Sequence, residues 1–396
     1  MGLDSPKDAQ FYLRVCLLTS SHPVKYSRFF DRESFSLSRA GFKVTLIGLG
    51  EIFSTTDING IKLITVPERH GLGKWRLFKK IAFLARNEAA DIYHCLDPWC
   101  LAIGLKIKRQ RRNVAVIYES SEWFPRMYLD RQDFPLPLRW LGWLLVSYLE
   151  YQATKKADEI LETNWSRSQR FLRRRRIPVQ VPNYPPLELM GTPQTARKPW
   201  VVYTGLICRP RGFDRLLKAL ATLKKEFPEI RLLVLGDFDP RDDIEKWSKR
   251  FIAQENLADN VLFLPKTKSY PEIFDILKPC LAGVILLQPE RKNDWTNQPN
   301  KLFEFMGCGL AVIASNFPEI AWVVKKEEAG WLINPKDNKA LVSALANVLR
   351  NQSEAISRGL RGREAVIKYY NWQVAEKNLL NVYERLAANI TVLKNR

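Results

Sequence analysis

Asn297-Gln-Pro-Asn-Lys-Leu-Phe-Glu304-Phe-Met-Gly307-Cys-Gly-Leu-Ala-Val-Ile313 carries more structural information than any other run of this chain. Pro299 suits the first turn of a helix, where its missing N–H is no loss, and Asn297 or Gln298 would supply the cap. Asn300 and Glu304 are four apart and share one face. Leu302, Phe303, Phe305 and Met306 fill most of the remaining circumference, so the helix is expected to be buried. Gly307 and Gly309 stop it, and Leu310 to Ala314 reads as a buried strand. A helix this apolar does not carry a carboxylate inward without a partner. Its N-terminus offers free N–H groups to an anion. One end therefore suits phosphate. Glu304 suits a hydroxyl-rich group such as ribose, or it is a solvent-facing side chain on an ordinary core helix.

Outward from this stretch, apolar strands alternate with helical patterns. Val15 to Thr19, Val44 to Ile47, Lys62 to Val66, Ile92 to Leu96, Val114 to Tyr118 and Glu159 to Thr163 read as strands. Arg28 to Ala40, Trp75 to Asn87, Trp99 to Gln110 and Leu138 to Lys156 read as helices. Strands separated by helices mean βαβ units and a mostly parallel sheet. Ligands of such sheets sit at the carboxyl ends of the strands, which singles out Ser20 to His22, Asp97 and Glu119 to Glu122. A Pro-rich, aperiodic stretch between Val181 and Pro199 breaks the pattern, and the alternation then restarts at Trp200. The expected architecture is α/β, two doubly wound Rossmann-like domains facing a cleft, with the nucleotide in that cleft. The domains are residues 1–185, a linker 186–199, residues 200–373, and a C-terminal helix 374–396 that can cross back to the first domain.

Composition narrows the partners. The chain has 396 residues and 62 Lys and Arg against 42 Asp and Glu, a net charge of +20. That balance favours polyanions: nucleic acid, an anionic membrane surface or phosphorylated ligands. Six cysteines show no paired spacing, so reduced thiols and a cytoplasmic setting are expected. With three histidines, a His-rich metal site is not expected. No run reaches the roughly 20 apolar residues of a membrane-spanning helix, and no signal peptide is visible. The Trp-rich stretch Leu136 to Leu149 suits either a helix lying in a membrane interface or, favoured on base rates, a buried helix of the first domain. Basic runs at Lys106 to Arg112 and Arg173 to Arg176 add attraction to an anionic bilayer. Nucleic acid could use the same charge, but no base-reading motif is visible.

Tyr203-Thr-Gly205-Leu-Ile-Cys-Arg209-Pro-Arg211-Gly212 follows a strand and opens a helix. Gly205 lets the backbone turn sharply, and Arg211 sits beside a helix N-terminus. A strand, a glycine turn and a fixed cation make a diphosphate site, or an ordinary loop with solvated arginines. Asp237 and Asp239 have the DxD spacing that can hold a metal, but the favoured reading is a turn whose aspartates cap backbone N–H groups.

These residues resemble the nucleotide-sugar signature of the GT-B glycosyltransferases, in particular glycosyltransferase family 4, the group 1 glycosyl transferases. The family motif has two Glu separated by seven residues. Glu304 matches the second, the first falls at Thr296, and the version here is similar to a subgroup with Pro-Asn-Lys-x-Phe-Glu. Arg211 stands where the family has a Lys, and Arg209 would substitute for the earlier basic position, Leu206 here. In the first domain, His94-Cys-Leu-Asp97 and Glu119-Ser-Ser121-Glu122 resemble the family's strand ends, with Ser121 in place of its His. The resemblance implies a retaining hexosyltransferase that moves a hexose from a nucleotide diphosphate sugar to an acceptor hydroxyl. It would act in polysaccharide or glycolipid synthesis, with a saccharide or lipid-linked acceptor, possible attachment to the cytoplasmic face of an anionic membrane, and no cofactor or metal. Gly205, Arg209, Arg211, Asn297, Asn300, Lys301 and Glu304 would bind the donor. Glu122, Asp97 and His22 would be catalytic. The alternatives are a GT-B epimerase or hydrolase, and a non-catalytic, basic nucleic-acid-binding protein.

Overall fold

The computed structural model describes residues 13–68, 73–130, 134–173, 175–194, 196–265, 269–290 and 295–394. The chain divides into two compact units. One is Met1–Asn183 with Gln373–Arg396, and the other is Tyr184–Trp372.

The first unit is built on an eight-stranded sheet in the order β3-β4-β2-β1-β5-β6-β7-β8. Its strands are β1 (Arg14–Pro23), β2 (Lys43–Gly50), β3 (Ser54–Ile58), β4 (Ile61–Pro67), β5 (Ile92–Cys95), β6 (Ala115–Ser120), β7 (Glu159–Glu162) and β8 (Val179–Gln180). Every neighbouring pair is parallel except β3 with β4. Strands covered on both faces read as continuous apolar runs, as Cys16, Leu17 and Leu18 do here, all fully buried. The chain leaves β1 toward β2 and β4, then returns to β5 on the other side. Order therefore reverses at β1 and β5, and a crevice opens at their carboxyl ends.

The second unit holds a six-stranded sheet in the order β11-β10-β9-β12-β13-β14. Its strands are β9 (Lys198–Thr204), β10 (Arg231–Leu235), β11 (Val261–Phe263), β12 (Cys280–Ile285), β13 (Ala311–Ser315) and β14 (Gly330–Ile333). All are parallel. Order reverses here between β9 and β12, which places the second crevice after Thr204 and Ile285. The closing helix Trp372–Lys394 packs on the first unit. Its Tyr383 hydroxyl meets His94 Nδ1 at 2.9 Å, and Lys394 pairs with Asp91 at 2.7 Å.

Several local expectations change. The edge strand β3 is polar, Ser-Thr-Thr-Asp-Ile, and its alternation is too weak to read from sequence. The helices Phe124–Asp130, Trp165–Leu172, Tyr270–Leu277 and Pro318–Lys326 also lay outside the reading. The expected helix from Arg28 begins as a wide π turn, Arg28–Ser34, and becomes α only over Phe35–Arg39. π turns mark places where side chains, rather than backbone regularity, set the geometry, and here Arg28 and Glu33 are drawn into the core. Pro299 occupies the cap position and the helix starts at Asn300, so neither Asn297 nor Gln298 caps it.

The largest correction concerns the helix Leu136–Lys156, favoured as buried. Only Val146, Glu150 and Ala153 of it are buried, while Trp140, Leu141, Leu144 and Tyr148 are 50%, 61%, 56% and 57% exposed. Its composition is apolar on every side, so sequence periodicity could not say which face meets solvent. Among the described residues no helix is long and apolar enough to cross a membrane.

Candidate functional site

The second crevice is assembled from backbone first. Gly205 follows β9 with φ 99°, a conformation that favours glycine. A Cβ on Gly236, which follows β10, would lie 1.9 Å from the Gly205 carbonyl oxygen, and one on Gly212 would lie 2.5 Å from that of Leu286. These glycines let three strand ends crowd together. The Gln288 N–H donates to the Pro210 carbonyl at 2.9 Å, tying the loop after β12 to the loop after β9.

Two cations reach this turn. Arg211 Nη1 lies 3.0 Å from where a side chain on Gly205 would begin. Arg211 is half-buried and, among the described residues, has no carboxylate partner. Lys301, in the first turn of Asn300–Gly307, donates to the Thr204 carbonyl at 3.0 Å and stands 4.9 Å from the centre of the Tyr203 ring. Burial of this ammonium is tolerated because a carbonyl and an aromatic face receive it. Asn297 and Asn300 are half-buried at the same helix start, and Gln298 bonds to Glu319 at 3.2 Å.

Glu304 points inward, not to solvent: it is buried and accepts a hydrogen bond of 2.8 Å from the Tyr270 hydroxyl. Tyr270 was missed, although Ser269-Tyr-Pro-Glu272 has the spacing that starts a helix. Arg209 is a correction. Its guanidinium pairs with Asp243 at 2.6 Å and with Asp242 at 3.4 Å and lies over the Trp247 ring, so in this structure it is turned to carboxylates and not left open as the missing basic position was expected to be. Asp239 receives the backbone N–H and guanidinium of Arg241 at 2.9 to 3.0 Å. For Asp239, that is the backbone-capping turn anticipated at this spacing.

The first crevice collects His22, Asp97 and Glu122 at the ends of β1, β5 and β6. Asp97 serves the architecture. One oxygen caps the helix Pro98–Gln110 through the N–H groups of Trp99 and Cys100 at 3.0 and 2.9 Å. The other accepts from the Ser20 N–H at 2.6 Å and from the hydroxyls of Ser20, Ser21 and Thr19. A buried carboxylate so occupied orients the loop that carries His22, rather than an acceptor hydroxyl. His22 stacks on Tyr26 at 4.6 Å with Phe29 edge-on at 5.4 Å. Burial lowers its pKa, against the opposing pull of the Asp97, Glu122 and Glu119 charges. Glu122 keeps 40% of its side chain exposed and pairs with Arg167 at 3.4 Å. Arg167, also missed, donates to the Ser121 carbonyl at 3.0 Å, so the segment that departs from the family pattern is braced by an arginine.

Behind this crevice lies a closed charge cluster. Arg28 Nε meets Glu119 at 2.7 Å and Glu33 at 3.0 Å. His94 Nε2 stands 3.2 Å from Glu119, and Tyr383 completes the group. Burial pushes the Glu119 carboxyl up, but Arg28 and then the His94 ring outweigh it and hold the pKa well below the usual carboxylate range. Burial and the neighbouring Glu119 charge push Glu33 well above that range. Glu33, His94 and Glu119 are spaced as metal ligands could be, with the Arg28 guanidinium already among them.

Comparisons with known proteins fit this geometry. Residues 198–351 match the family described as Glycosyl transferases group 1. A phosphatidyl-myo-inositol mannosyltransferase of Mycobacterium leprae is 28% identical over 225 residues, 53% of this chain and 54% of that protein. The amylovoran biosynthesis glycosyltransferase AmsK of Erwinia amylovora is 27% identical over 183 residues, 45% of this chain and 42% of that protein. The chain thus spans about half the length of these curated relatives. Sucrose-phosphate synthase of Thermosynechococcus elongatus superposes with a TM-score of 0.74 at 19% identity, covering 96% of this chain and 100% of that one. Anabaena HepE in complex with UDP-glucose gives 0.71 at 14%, covering 94% and 100%. The chain has the GT-B fold, with two parallel-sheet domains, and its residues 198–351 match the group 1 glycosyl transferase family.

Proposed function

We propose that this protein is a retaining glycosyltransferase that moves a hexose from a nucleotide diphosphate sugar to an acceptor hydroxyl. The observation that carries the reading is the meeting of Arg211 and Lys301 at the Gly205 turn, where strand order reverses. Two fixed cations beside a helix N-terminus suit a diphosphate leaving group, whose developing charge they stabilise without reorganisation. Glu304, which accepts the Tyr270 hydroxyl, is proposed to accept ribose hydroxyls, and the Asn297 to Asn300 segment to face the sugar in place of the acid replaced by Thr296. In the first unit, Glu122 with Arg167 and the half-buried His22 are the groups proposed to meet the acceptor, on a loop that Asp97 holds. The glycosyltransferase and mannosyltransferase names of the relatives, and HepE's complex with UDP-glucose, support the same class. The acceptor is proposed to be a saccharide or lipid-linked hydroxyl presented at a membrane surface.

The test is thermal stability against UDP, GDP, ADP and dTDP, with Arg211→Ala beside the wild type. A nucleotide at 100 times its Kd stabilises by about 2.7 kcal/mol. One nucleotide shifting the wild type but much less the variant is the expected result. No shift with any of the four would overturn the reading.

A further inference from the structure

We propose that the groove between the helices Pro98–Gln110 and Leu136–Lys156 is a docking site for the phosphate headgroups of an anionic bilayer, with the exposed apolar half of the second helix inserted beside it. This deepens the membrane part of the function proposed above and does not depend on its sugar-transfer part.

The groove has a volume of about 670 Å³, and no acidic side chain lines it. Lys106, Arg109, Arg112 and Lys156 line it, all exposed, and none has an ion-pair partner among the described residues. Lys108 is the exception, held by Asp158 at 2.6 Å. Unpaired cations at this density repel one another, and an anionic surface relieves that repulsion. Tyr148 lines the same groove and is 57% exposed. It is the hinge between two textures. From it toward the N-terminus of its helix run Leu145, Leu144, Leu141 and Trp140, all exposed. Cations beside an exposed Trp, Tyr and Leu belt match a bilayer interface, where headgroups lie above acyl chains. A nucleic acid would use the cations and leave the leucines wet.

Chain direction adds a consequence. Lys156 leads within three residues into β7 (Glu159–Glu162), so the cationic end of the helix lies at the amino edge of the sheet. The apolar end follows β6 and lies at the carboxyl edge, where His22 and Glu122 also stand. A membrane reached by the belt would therefore present its acceptors on the side of the first crevice.

The experiment is vesicle co-sedimentation with phosphatidylglycerol and phosphatidylcholine vesicles. It compares the wild type, Lys106→Gln/Arg109→Gln/Arg112→Gln, and Leu141→Ser/Leu144→Ser. Each basic side chain near an anionic surface is worth about fivefold in affinity, so the triple variant should lose roughly 100-fold on phosphatidylglycerol. The leucine variant should keep its low-salt binding and lose the part that survives about 1 M salt, where the Debye length is about 3 Å. Both variants should keep the melting temperature and the nucleotide-induced shift of the wild type, so failure here is separable from failure of the donor site. Wild-type-like binding by the triple variant would overturn the proposal. So would tighter binding to single-stranded RNA than to vesicles, with the same loss in the triple variant.

Discussion

Two crevices of the same origin, each at a reversal of strand order in a parallel sheet, are filled with opposite charge. After β9 and β12 the second unit presents Arg211 and Lys301, a cation with no carboxylate partner among the described residues and one resting on a carbonyl. After β1, β5 and β6 the first unit presents carboxylates, and most are already spent. Asp97 is saturated by its own loop and helix, and Glu119 and Glu33 are closed around Arg28. The lesson is that sheet topology says where a ligand can sit, while unspent charge says which ligand and on which unit. The second unit is prepared for an anion. In the first, Glu122 and His22 are the described titratable groups of the crevice that stay within reach of solvent.

The strongest way to break this comparison is to open the closed cluster. Arg28→Met leaves two buried carboxylates without their cation, and removing one partner of a buried pair costs about 3–5 kcal/mol. The first unit should melt roughly 10 °C lower, with nucleotide binding to the second unit kept below the transition. A melting temperature within a degree or two of the wild type would mean that the cluster is not closed.

Arg211→Ala makes the opposite separation. A charge-assisted hydrogen bond contributes about 1.5–3 kcal/mol, so nucleotide affinity by calorimetry should fall roughly ten- to a hundredfold, while stability, with no ion pair to a described residue lost, should move by less than about 0.5 kcal/mol. Equal affinity would remove the donor-site assignment. Tyr270→Phe sharpens it further. Glu304 loses a donor while buried, which should cost about 1–3 kcal/mol in stability and weaken nucleotide binding with it.

The smallest expected effect distinguishes two carboxylates within one cluster. Glu119 has a depressed folded pKa, so its contribution is present above the unfolded value of 4.5 and is lost as pH falls toward the folded one. Glu33 has a raised folded pKa, so its contribution is present below 4.5 and is lost as pH rises through the folded value. Glu33→Gln imitates the protonated acid. It should be near neutral at pH 4 and gain on the wild type as pH rises, read from melting temperature against pH. Glu119→Gln should be destabilising at neutral pH and less so in acid. The same pH trend in both variants would sink the assignment.

How much of this could be read beforehand follows the same division. Strand positions were legible because buried parallel strands are continuous apolar runs, and Val15 to Thr19 and Val44 to Ile47 needed no tertiary knowledge. The glycine turn at Gly205 was legible because backbone conformation is local, while the helix after it in the same crevice was placed only to within a residue or two, since Pro299 and not Asn297 or Gln298 takes the cap. What was not legible depends on distant partners. Arg209 and Arg211 are two residues apart, and only the position of Asp242 and Asp243, more than thirty residues on, decides which guanidinium is engaged. Tyr383 meets His94 across 289 residues, and nothing near either of them announces it. The helix Leu136–Lys156 was misread for a related reason. A helix apolar on all sides is buried only if other elements cover it, and its neighbours in the first unit leave most of it bare.

The most direct test of the central claim is amide hydrogen exchange with and without whichever nucleotide raises the melting temperature. The account predicts added protection over Gly205 to Gly212 and Asn300 to Glu304, with Ser20 to His22 and Glu119 to Glu122 unchanged. Protection at the strand ends of the first unit, with none at Gly205 to Gly212, would contradict it.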